Sequence, residues 1–380
     1  MSLSSRVRHM VAFVLDHSLL LVAGAVAAVV WANVARASYT RVAEPLRFLV
    51  NDVGMVFFFA LAALEVFQAT LPGGPLATPR RAAVPLLAAA GGMLAPALIY
   101  LGLAHGLGRP ALARGWAIPC ATDIAFSYLV ARAIFGPRHP AVPFLLLLAI
   151  ADDALGLIVL ALFYPAGSIR IFEFALWLAA ALVCAAVLRW RRADSFWPYV
   201  LGAGTLSWLA FERGGFHPAL ALVPIVPFIP HGSRGHEPMV ETAHRDPLTQ
   251  FEHWWKNPVQ VILFFFGLVN AGVPASSVGV GTWVVLASIL LGKPIGILAS
   301  AIAASAVRLH RAPGLAWRDL FVVGCTAGIG FTVALFFTTA AFPRGPMLDE
   351  TKMGALLSFG AAVPALAAAA LLRVGRFDRR

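Results

Sequence analysis

The chain has 380 residues, of which 60% are hydrophobic and only 12% are charged, and its mean hydropathy is +0.82. A water-soluble domain cannot bury this much apolar surface, and the apolar residues recur in windows of about 20, the length of a bilayer-spanning helix. The composition therefore excludes a soluble fold and indicates a polytopic membrane protein. The net charge of +11 comes from arginines scattered through short loops, which argues against nucleic-acid binding.

Hydropathy predicts an all-α polytopic membrane protein with twelve spans in a single transmembrane domain over residues 1–380. The predicted centres are Leu21, Phe58, Met93, Ala125, Ala151, Ala179, Leu206, Val223, Phe265, Leu290, Thr332 and Ala362. The segments near Leu206 and Val223 are short and contain Trp, Pro and Gly, so an odd number of spans is the alternative if these two form one. No linker or low-complexity tract divides the chain.

The polar segments predict the orientation. Residues 10–30 form an apolar stretch longer than the roughly 7 to 15 residues of a signal-peptide core, so we interpret them as the first span. The longest polar stretch, residues 231–257, predicts a cytoplasmic loop. Lysine and arginine are more frequent in the loops on the N-terminal side of the membrane, and the positive-inside rule then predicts that both termini are cytoplasmic.

Two adjacent acids, Asp152 and Asp153, lie in the middle of an apolar run that extends from residue 141 to 164. Asp152 is about 17 Å into a hydrocarbon core of roughly 30 Å, where an unpaired carboxylate is costly and usually has a transport function. Burial and a neighbouring like charge favour the protonated form of a carboxylate. A site that accepts either a proton or a hard cation makes the two compete, so the pair predicts proton and cation handling.

Lys293, in the motif LGKPIG, is the only basic residue deep within a predicted span. A lysine in this position needs an acidic partner or must lose its proton. Neighbouring helical residues diverge by about 100°. One of Asp152 and Asp153 is therefore expected to bind an ion while the other pairs with Lys293. Glu65, at the other end of its span from Asp52, either attracts cations or is a solvated interfacial carboxylate.

Two spans contain predicted interruptions. Pro119 and Thr122 precede Asp123 in CATDIAF, and three glycines occur in GCTAGIGFT, residues 324–332. CATDIAF and CTAGIGF match at three of seven positions, which fits a structural repeat with paired broken helices around a midplane site. Helix-packing faces of small residues are an equally good interpretation of this pattern. The three cysteines, Cys120, Cys184 and Cys325, lie in apolar segments with no disulfide or metal-ligand spacing, and are expected to be small buried hydrophobes.

Seven motifs occur in an order that resembles the NhaA-type sodium/proton antiporters over nearly the whole chain. They are VNDVGMVFFFALAALEV from residue 50, AIPCATDIAF from 117, LAIADDALG from 148, GGFHPALA from 214, NAGV from 270, LGKPIG from 291 and GIGFT from 328. The resemblance implies twelve transmembrane helices with inverted repeats formed by helices 3–5 and 10–12, in which helices 4 and 11 are interrupted and cross.

The same resemblance implies roles for individual residues. Asp153 and Asp152 match the cation- and proton-binding pair and are the transient ligands of transported Na⁺, while Thr122 matches a hydroxyl near the cation. Asp123 matches the acid that offsets the positive helix ends at the crossing, and Lys293 the lysine associated with electrogenic exchange.

A second group matches residues linked in the family to pH response or cation entry: Glu65, His217, Glu252 and His253. His217, beside Pro218, has a purely structural role as its alternative, and the spacing from Glu252 and His253 to Asn270 departs from the family pattern. Phe67, Gln68 and Ala69 replace part of a charged run, which weakens the inference of pH regulation.

The implied function is electrogenic exchange of Na⁺ or Li⁺ for H⁺ across the bacterial inner membrane, by competition and alternating access, without enzymatic activity or a cofactor. The partners implied are these ions and membrane lipid. Residues 36–48 leave little room for the hairpin that supports dimerisation in the family, so a homodimer stays an open alternative. A sodium-coupled symporter of an organic solute and an intramembrane aspartyl protease are the competing functions; the protease would need Asp123 to face the adjacent pair.

Overall fold

The computed structural model describes residues 19–231, 246–306 and 314–378, and this part of the chain is helical without any β-strand. The α-helices are Leu19–Val34, Arg36–Phe48, Met55–Thr70, Pro79–Gly106, Ile124–Phe135, Ala141–Phe163, Ile171–Trp190, Thr205–Gly214, Pro247–Asn270, Val280–Ala306, Trp317–Ala327, Phe331–Ala341, Pro346–Leu357 and Ala362–Leu371. Seven described segments are long and apolar enough to cross a membrane, or eight if one bent pair counts as a span. The all-α membrane fold is confirmed; the count of twelve and the inverted repeats stay predictions.

The predicted span centres lie in α-helices except for Val223. That residue is in a turn between two short 3₁₀ helices, Pro218–Leu220 and Val226–Phe228. The prolines at 218, 224 and 227 lack the backbone N–H that a continuous α-helix needs, which explains the difference. Part of the first predicted span and the proposed signal-peptide alternative fall on residues 1–18, outside the described residues.

The expected loop over residues 231–257 is wrong at its C-terminal end. A helix begins at Pro247, where Asp246 caps it by accepting a hydrogen bond from the Thr249 backbone N–H at 2.8 Å. Asp at the N-cap followed by Pro is a strong helix start, although the polar composition hides it. Glu252 and His253 therefore lie on a helix; residues 232–245 are outside the described part of the chain.

Residues 36–70 form one continuous helical segment in which Leu49–Gly54 is a π-helical turn. Within this turn, the Asn51 side-chain amide donates to Asn270 Oδ1 at 3.1 Å, and Asn270 donates back to Asn51 Oδ1 at 2.7 Å. Residues 36–48, where the family hairpin was in question, are helical. The paired amides therefore join this segment to Pro247–Asn270. Such a pair is favourable inside a membrane, because each amide satisfies the hydrogen-bonding groups of the other.

The helix that carries Lys293, Val280–Ala306, is called the lysine helix below. It packs against Pro79–Gly106 through glycines on both sides: a Cβ on Gly296 would lie 2.0 Å from the Gly91 carbonyl oxygen, and one on Gly292 2.6 Å from the Pro96 nitrogen. Small residues let helix backbones approach closely in membranes. This close contact between the two helices fixes the position of Lys293 in the protein interior.

Replacing Gly296 by alanine is expected to lower stability by about 1–3 kcal/mol, because the added methyl group overlaps backbone atoms that cannot rotate away. The matched control is Gly102→Ala, in an exposed helical position where a Cβ meets nothing within 4 Å. That change should raise stability by about 0.4–1 kcal/mol. Thermal unfolding of the two variants in detergent measures the difference, and equal melting temperatures would contradict the close contact.

Candidate functional site

Two broken spans meet in the centre of the described structure. The first broken span, Ile118–Phe135, starts with a 3₁₀ turn that ends at Cys120, after which Ala121 and Asp123 are extended. The second broken span consists of Trp317–Ala327 and Phe331–Ala341, which are bent by 52°. Pro119 in one and Gly328 and Gly330 in the other interrupt the helical hydrogen bonds.

The freed carbonyl groups of the second broken span are satisfied by the first. The Thr122 hydroxyl donates to the Ala327 carbonyl at 3.0 Å, and the Ser127 hydroxyl donates to Thr326 at 2.9 Å. The Asp123 backbone N–H donates to the Ile329 carbonyl at 2.6 Å. Helix ends leave such groups without intrahelical partners, and in lipid they must be paired within the protein. These three bonds explain why both interruptions are stable at this depth.

The Asp123 side chain lies at the N-terminal ends of two helices. It caps Ile124–Phe135, and one of its oxygens accepts hydrogen bonds from the Thr332 hydroxyl and, at 3.2 Å, from the Thr332 backbone N–H. Helix N-termini carry a partial positive charge that a nearby carboxylate stabilises. Asp123 is only 6% exposed, so these groups replace water around the carboxylate.

Replacing Thr332 by valine is expected to destabilise the protein by about 1–3 kcal/mol, since it removes a donor from a buried carboxylate while keeping the side-chain volume. The matched control is Thr338→Val in the same helix. Thr338 is also buried, but its hydroxyl donates only to the local Leu335 carbonyl. Melting temperatures in detergent should therefore fall clearly more for Thr332→Val, and a similar loss in both variants would contradict this role.

Lys293 is fully buried and its ammonium group has two partners. It donates to Asp152 Oδ2 at 2.8 Å and to Thr122 Oγ1 at 2.8 Å. The aspartate helix, Ala141–Phe163, supplies Asp152, and the first broken span supplies Thr122. The lysine thus contacts the acidic pair through Asp152 and joins three elements at one point.

A small internal cavity opens beside this ion pair. Its lining consists of Phe58, Phe59, Ala62, Met93, Ala117, Cys120, Ala121, Asp152, Asp153, Gly156, Leu157, Val159, Leu160, Val333, Phe336 and Phe337. The volume of about 20 Å³ admits roughly one water molecule or an ion of similar size. The two carboxylates are the charged groups in this lining. In the described residues, no group of three or more His, Cys, Asp or Glu side chains is arranged to hold a resident metal ion.

The two acids of the cavity have different environments. Asp152 is 3% exposed, and its second oxygen, Oδ1, has no hydrogen-bond partner. Asp153 is half-buried and, within the described part of the chain, has neither a hydrogen bond nor an ion pair. It experiences the charges of Glu65, Asp152 and Asp123, and the opposite charge of Lys293. Two carboxylates with free acceptor oxygens beside a one-ion cavity can bind a cation or take up protons.

The remaining predicted residues lie away from these contacts. Glu65, Glu252 and His253 are exposed, and Gln68 donates to Glu252 at 2.9 Å. Glu65 is absent from the cavity lining, and its role in cation entry stays a prediction.

His217 is half-buried between two helical segments. Its Nδ1 accepts a hydrogen bond from the Ala219 backbone N–H at 3.4 Å, as a cap of the turn Pro218–Leu220. Its ring centre is 4.8 Å from that of Phe336, which lines the cavity. His217 therefore has a capping position.

Of the predicted site residues, Thr122, Asp152 and Lys293 are in direct contact, and Asp153 lines the same cavity as Asp152.

Sequence reasoning missed several residues of the crossing and its surroundings. Ser127 and Thr332 complete the crossing, and Asn51 pairs with Asn270. Thr332, Asn51 and Asn270 all occur in the motifs quoted above, so the signal was present although no role was attached to them. Ser127 follows Asp123 by one helical turn, which was the available indication that both face the same side.

The chain matches known proteins along almost its whole length. A family model described as Na+/H+ antiporter 1 covers residues 14–372. Among curated relatives, the Na(+)/H(+) antiporter NhaA of Geobacter metallireducens is 46% identical, with 95% of this chain and 97% of that protein aligned. The protein of the same name from Jannaschia sp. is 45% identical with the same coverage.

A solved structure has the same fold at much lower sequence identity. The sodium proton antiporter MjNhaP1 from Methanocaldococcus jannaschii aligns with a TM-score of 0.54 at 15% identity, over 93% of this chain and 90% of that one. The family match spans both broken spans, the aspartate helix and the lysine helix. The chain therefore belongs to the Na+/H+ antiporter 1 family and is an NhaA-type protein.

Proposed function

We propose that this protein exchanges Na⁺ or Li⁺ for H⁺ across a membrane, with Asp152 and Asp153 as the alternating cation and proton ligands. The observation that supports this most directly is the one-ion cavity onto which both carboxylates open, with Asp152 Oδ1 unpartnered. Curated relatives named Na(+)/H(+) antiporter NhaA agree with the same exchange. Oxygen ligands suit hard cations, and carboxylates also accept protons, so the two substrates compete.

In the proposed mechanism, Lys293 and the cation are alternative partners of Asp152. In the observed arrangement the ammonium neutralises Asp152 through Oδ2, while Oδ1 of the same residue, which lines the cavity, has no hydrogen-bond partner. An arriving Na⁺ would bind Asp152 Oδ1 and Asp153, displacing the proton held by Asp153 and weakening the contact between Lys293 and Asp152. If the site changes its accessible side only when it is loaded, the entry of protons on one side obliges the cation to leave on the other.

We further propose that the exchange is electrogenic and that Lys293 contributes to the charge balance. Moving one net charge across the membrane couples to about 2.3 kcal/mol per 100 mV. An imposed potential should therefore drive Na⁺ movement in the absence of a pH gradient. If Lys293→Ala retained exchange with unchanged dependence on potential, this role of the lysine would be wrong.

The test uses purified protein in liposomes that contain a trapped pH indicator. We expect addition of Na⁺ or Li⁺ on one side to move protons in the opposite direction, and choline at the same concentration to have no effect. Potassium and valinomycin set the membrane potential independently. Absence of cation-dependent proton movement at every pH, in protein whose fold is verified by its melting transition, would contradict the proposed exchange.

A sodium-coupled symporter of organic solutes is the second candidate. The cavity beside the acids has space for about one small ion, and its other lining residues are mainly apolar and aromatic. Lys293, the basic group that could bind a solute carboxylate, already contacts Asp152. These observations favour ion exchange, and uptake of a radiolabelled solute without proton movement would favour the symporter.

An intramembrane aspartyl protease is less well supported, and we propose that the protein is not an enzyme. Protease chemistry needs two carboxylates that share a proton at about 3 Å. Asp123, the expected partner from another element, is bound to Thr332 and is absent from the cavity lining. Insensitivity of exchange to transition-state peptidomimetics would agree with this interpretation.

We also propose a location in the bacterial inner membrane with both termini in the cytoplasm. The distribution of lysine and arginine between loops supports this orientation. Reporter fusions at the C-terminus that are active only in the cytoplasm would test it.

A further inference from the structure

The small cavity beside Asp152 and Asp153 is also lined by two sulfur-containing residues, which Na⁺/H⁺ exchange does not require. Cys120 is 1% exposed and lines the cavity, where its thiol donates to the Met93 carbonyl at 3.2 Å and to Trp116 at 3.4 Å. Met93, from the helix Pro79–Gly106, lines the same cavity. A cysteine and a methionine therefore line the same cavity as the two aspartates.

A second observation points to a ligand at this position. Asp152 lines the same cavity and its Oδ1 atom is buried without a hydrogen-bond partner, so a positively charged occupant beside it would satisfy that oxygen. Hard alkali cations prefer such oxygens, whereas thiolate and thioether sulfur select soft cations such as Cu(I). Ag⁺ has the same charge as Na⁺ and the same preference for sulfur as Cu(I).

We propose that the cavity is also a binding site for soft monovalent cations, represented by Ag⁺, held between the sulfur atoms of Cys120 and Met93 beside Asp152. In this step Ag⁺ replaces the thiol proton of Cys120: the S–H bond breaks, an S–Ag bond forms, and the proton leaves to solvent. No electron is transferred. Entry of Ag⁺ into the cavity rests on the proposed function, because the ion must use the same route as Na⁺.

A soft cation bound in this way blocks exchange. A transported ion must bind weakly enough to leave again on the other side. A silver–thiolate bond is much stronger than the contact of Na⁺ with a carboxylate, and an ion held there occupies the space that the alkali cation needs. Ag⁺ is therefore expected to inhibit by competing with Na⁺ or Li⁺.

The other cysteines provide an internal comparison. Cys184, on Ile171–Trp190, and Cys325, on Trp317–Ala327, are half-buried and are absent from the cavity lining. The double variant Cys184→Ser/Cys325→Ser leaves Cys120 as the single thiol of the chain. Met55, which is fully buried but does not line the cavity, is the matched methionine control.

The experiment measures Ag⁺ retained per chain by elemental analysis after gel filtration, in nitrate buffers that avoid silver chloride. We expect one tightly held Ag⁺ in the single-thiol variant and its loss in the further variants Cys120→Ser and Cys120→Ala, each with a verified melting transition. Met93→Leu should speed Ag⁺ release, whereas Met55→Leu should not. Excess Li⁺ should slow Ag⁺ uptake.

Retention of Ag⁺ by both Cys120 variants, or equal uptake rates with and without Li⁺, would overturn the proposal. Proton movement in liposomes is measured in parallel on the single-thiol variant, with and without Ag⁺. Failure of Na⁺ to move protons without Ag⁺ would refute the exchange function alone, because the stoichiometry still reports binding at Cys120. Full exchange with one Ag⁺ bound at Cys120 would refute the inhibition.

Discussion

Replacing Asp153 by asparagine is expected to abolish Na⁺-dependent proton movement in liposomes. The amide has nearly the shape of the carboxylate, but it neither binds a proton in the physiological range nor supplies negative charge to a cation. Asp153 lines the cavity and, among the described residues, has no polar partner, so the loss should leave the fold intact. Calorimetry should correspondingly detect no heat of Li⁺ binding.

The matched control is Asp194→Asn, which changes an exposed acid in the loop after Ile171–Trp190. This variant removes the same charge from the chain without touching the cavity, and it should retain exchange. Equal loss of flux in both variants would indicate a general charge effect. Persistence of Na⁺-dependent flux in folded Asp153→Asn would refute the assignment of Asp153 as a cation and proton ligand.

Replacing Lys293 by methionine is expected to destabilise the protein by about 3–5 kcal/mol. The ammonium is fully buried and lies 2.8 Å from Asp152, so its removal leaves a buried carboxylate without a counter-ion. Thermal unfolding in detergent measures this loss. Raising the concentration of Li⁺ should recover part of the stability, because a cation that binds only the folded state stabilises it by mass action.

The double variant Asp152→Asn/Lys293→Met separates the ion pair from packing. With both charges absent, stability should return to within about 1 kcal/mol of the original or exceed it, since a buried pair contributes little net stability over neutral groups of similar volume. Together with the single variants Lys293→Met and Asp152→Asn, it completes a double-mutant cycle. Additive losses in the double variant would mean that Lys293 stabilises the fold through its hydrocarbon chain and not through Asp152.

The charged part of the site could be predicted from the sequence because lipid makes ionisable residues conspicuous. Asp152, Asp153 and Lys293 stand out in apolar runs, and the cost of burying them singly implies that they meet. Which acid contacts the lysine could not be predicted, because it depends on the rotation of the aspartate helix. The structure gives Asp152. The functional roles of these residues stay predictions.

The neutral polar part of the site was much harder to predict. A threonine or serine inside a span commonly bonds to its own helix, as Thr338 does, so the residue types of Thr332 and Ser127 alone do not indicate a contact with another element. The polar residues around Pro247 predicted a loop where a helix begins, and the apolar residues around Val223 predicted a span where the chain forms a turn. In both places hydropathy reports the surroundings of a residue rather than its backbone conformation.

The three cross-bonds between the broken spans have a mechanical consequence. Thr122, Asp123 and Ser127 each donate a hydrogen bond to the backbone of the opposite span, and Thr332 donates back to Asp123. Sliding one span past the other would break these hydrogen bonds together and leave several polar groups unpaired inside the membrane. We therefore expect the two broken spans to move together. A motion that exposes the acids first to one compartment and then to the other would pivot the surrounding helices about this pair or tilt the pair as one body.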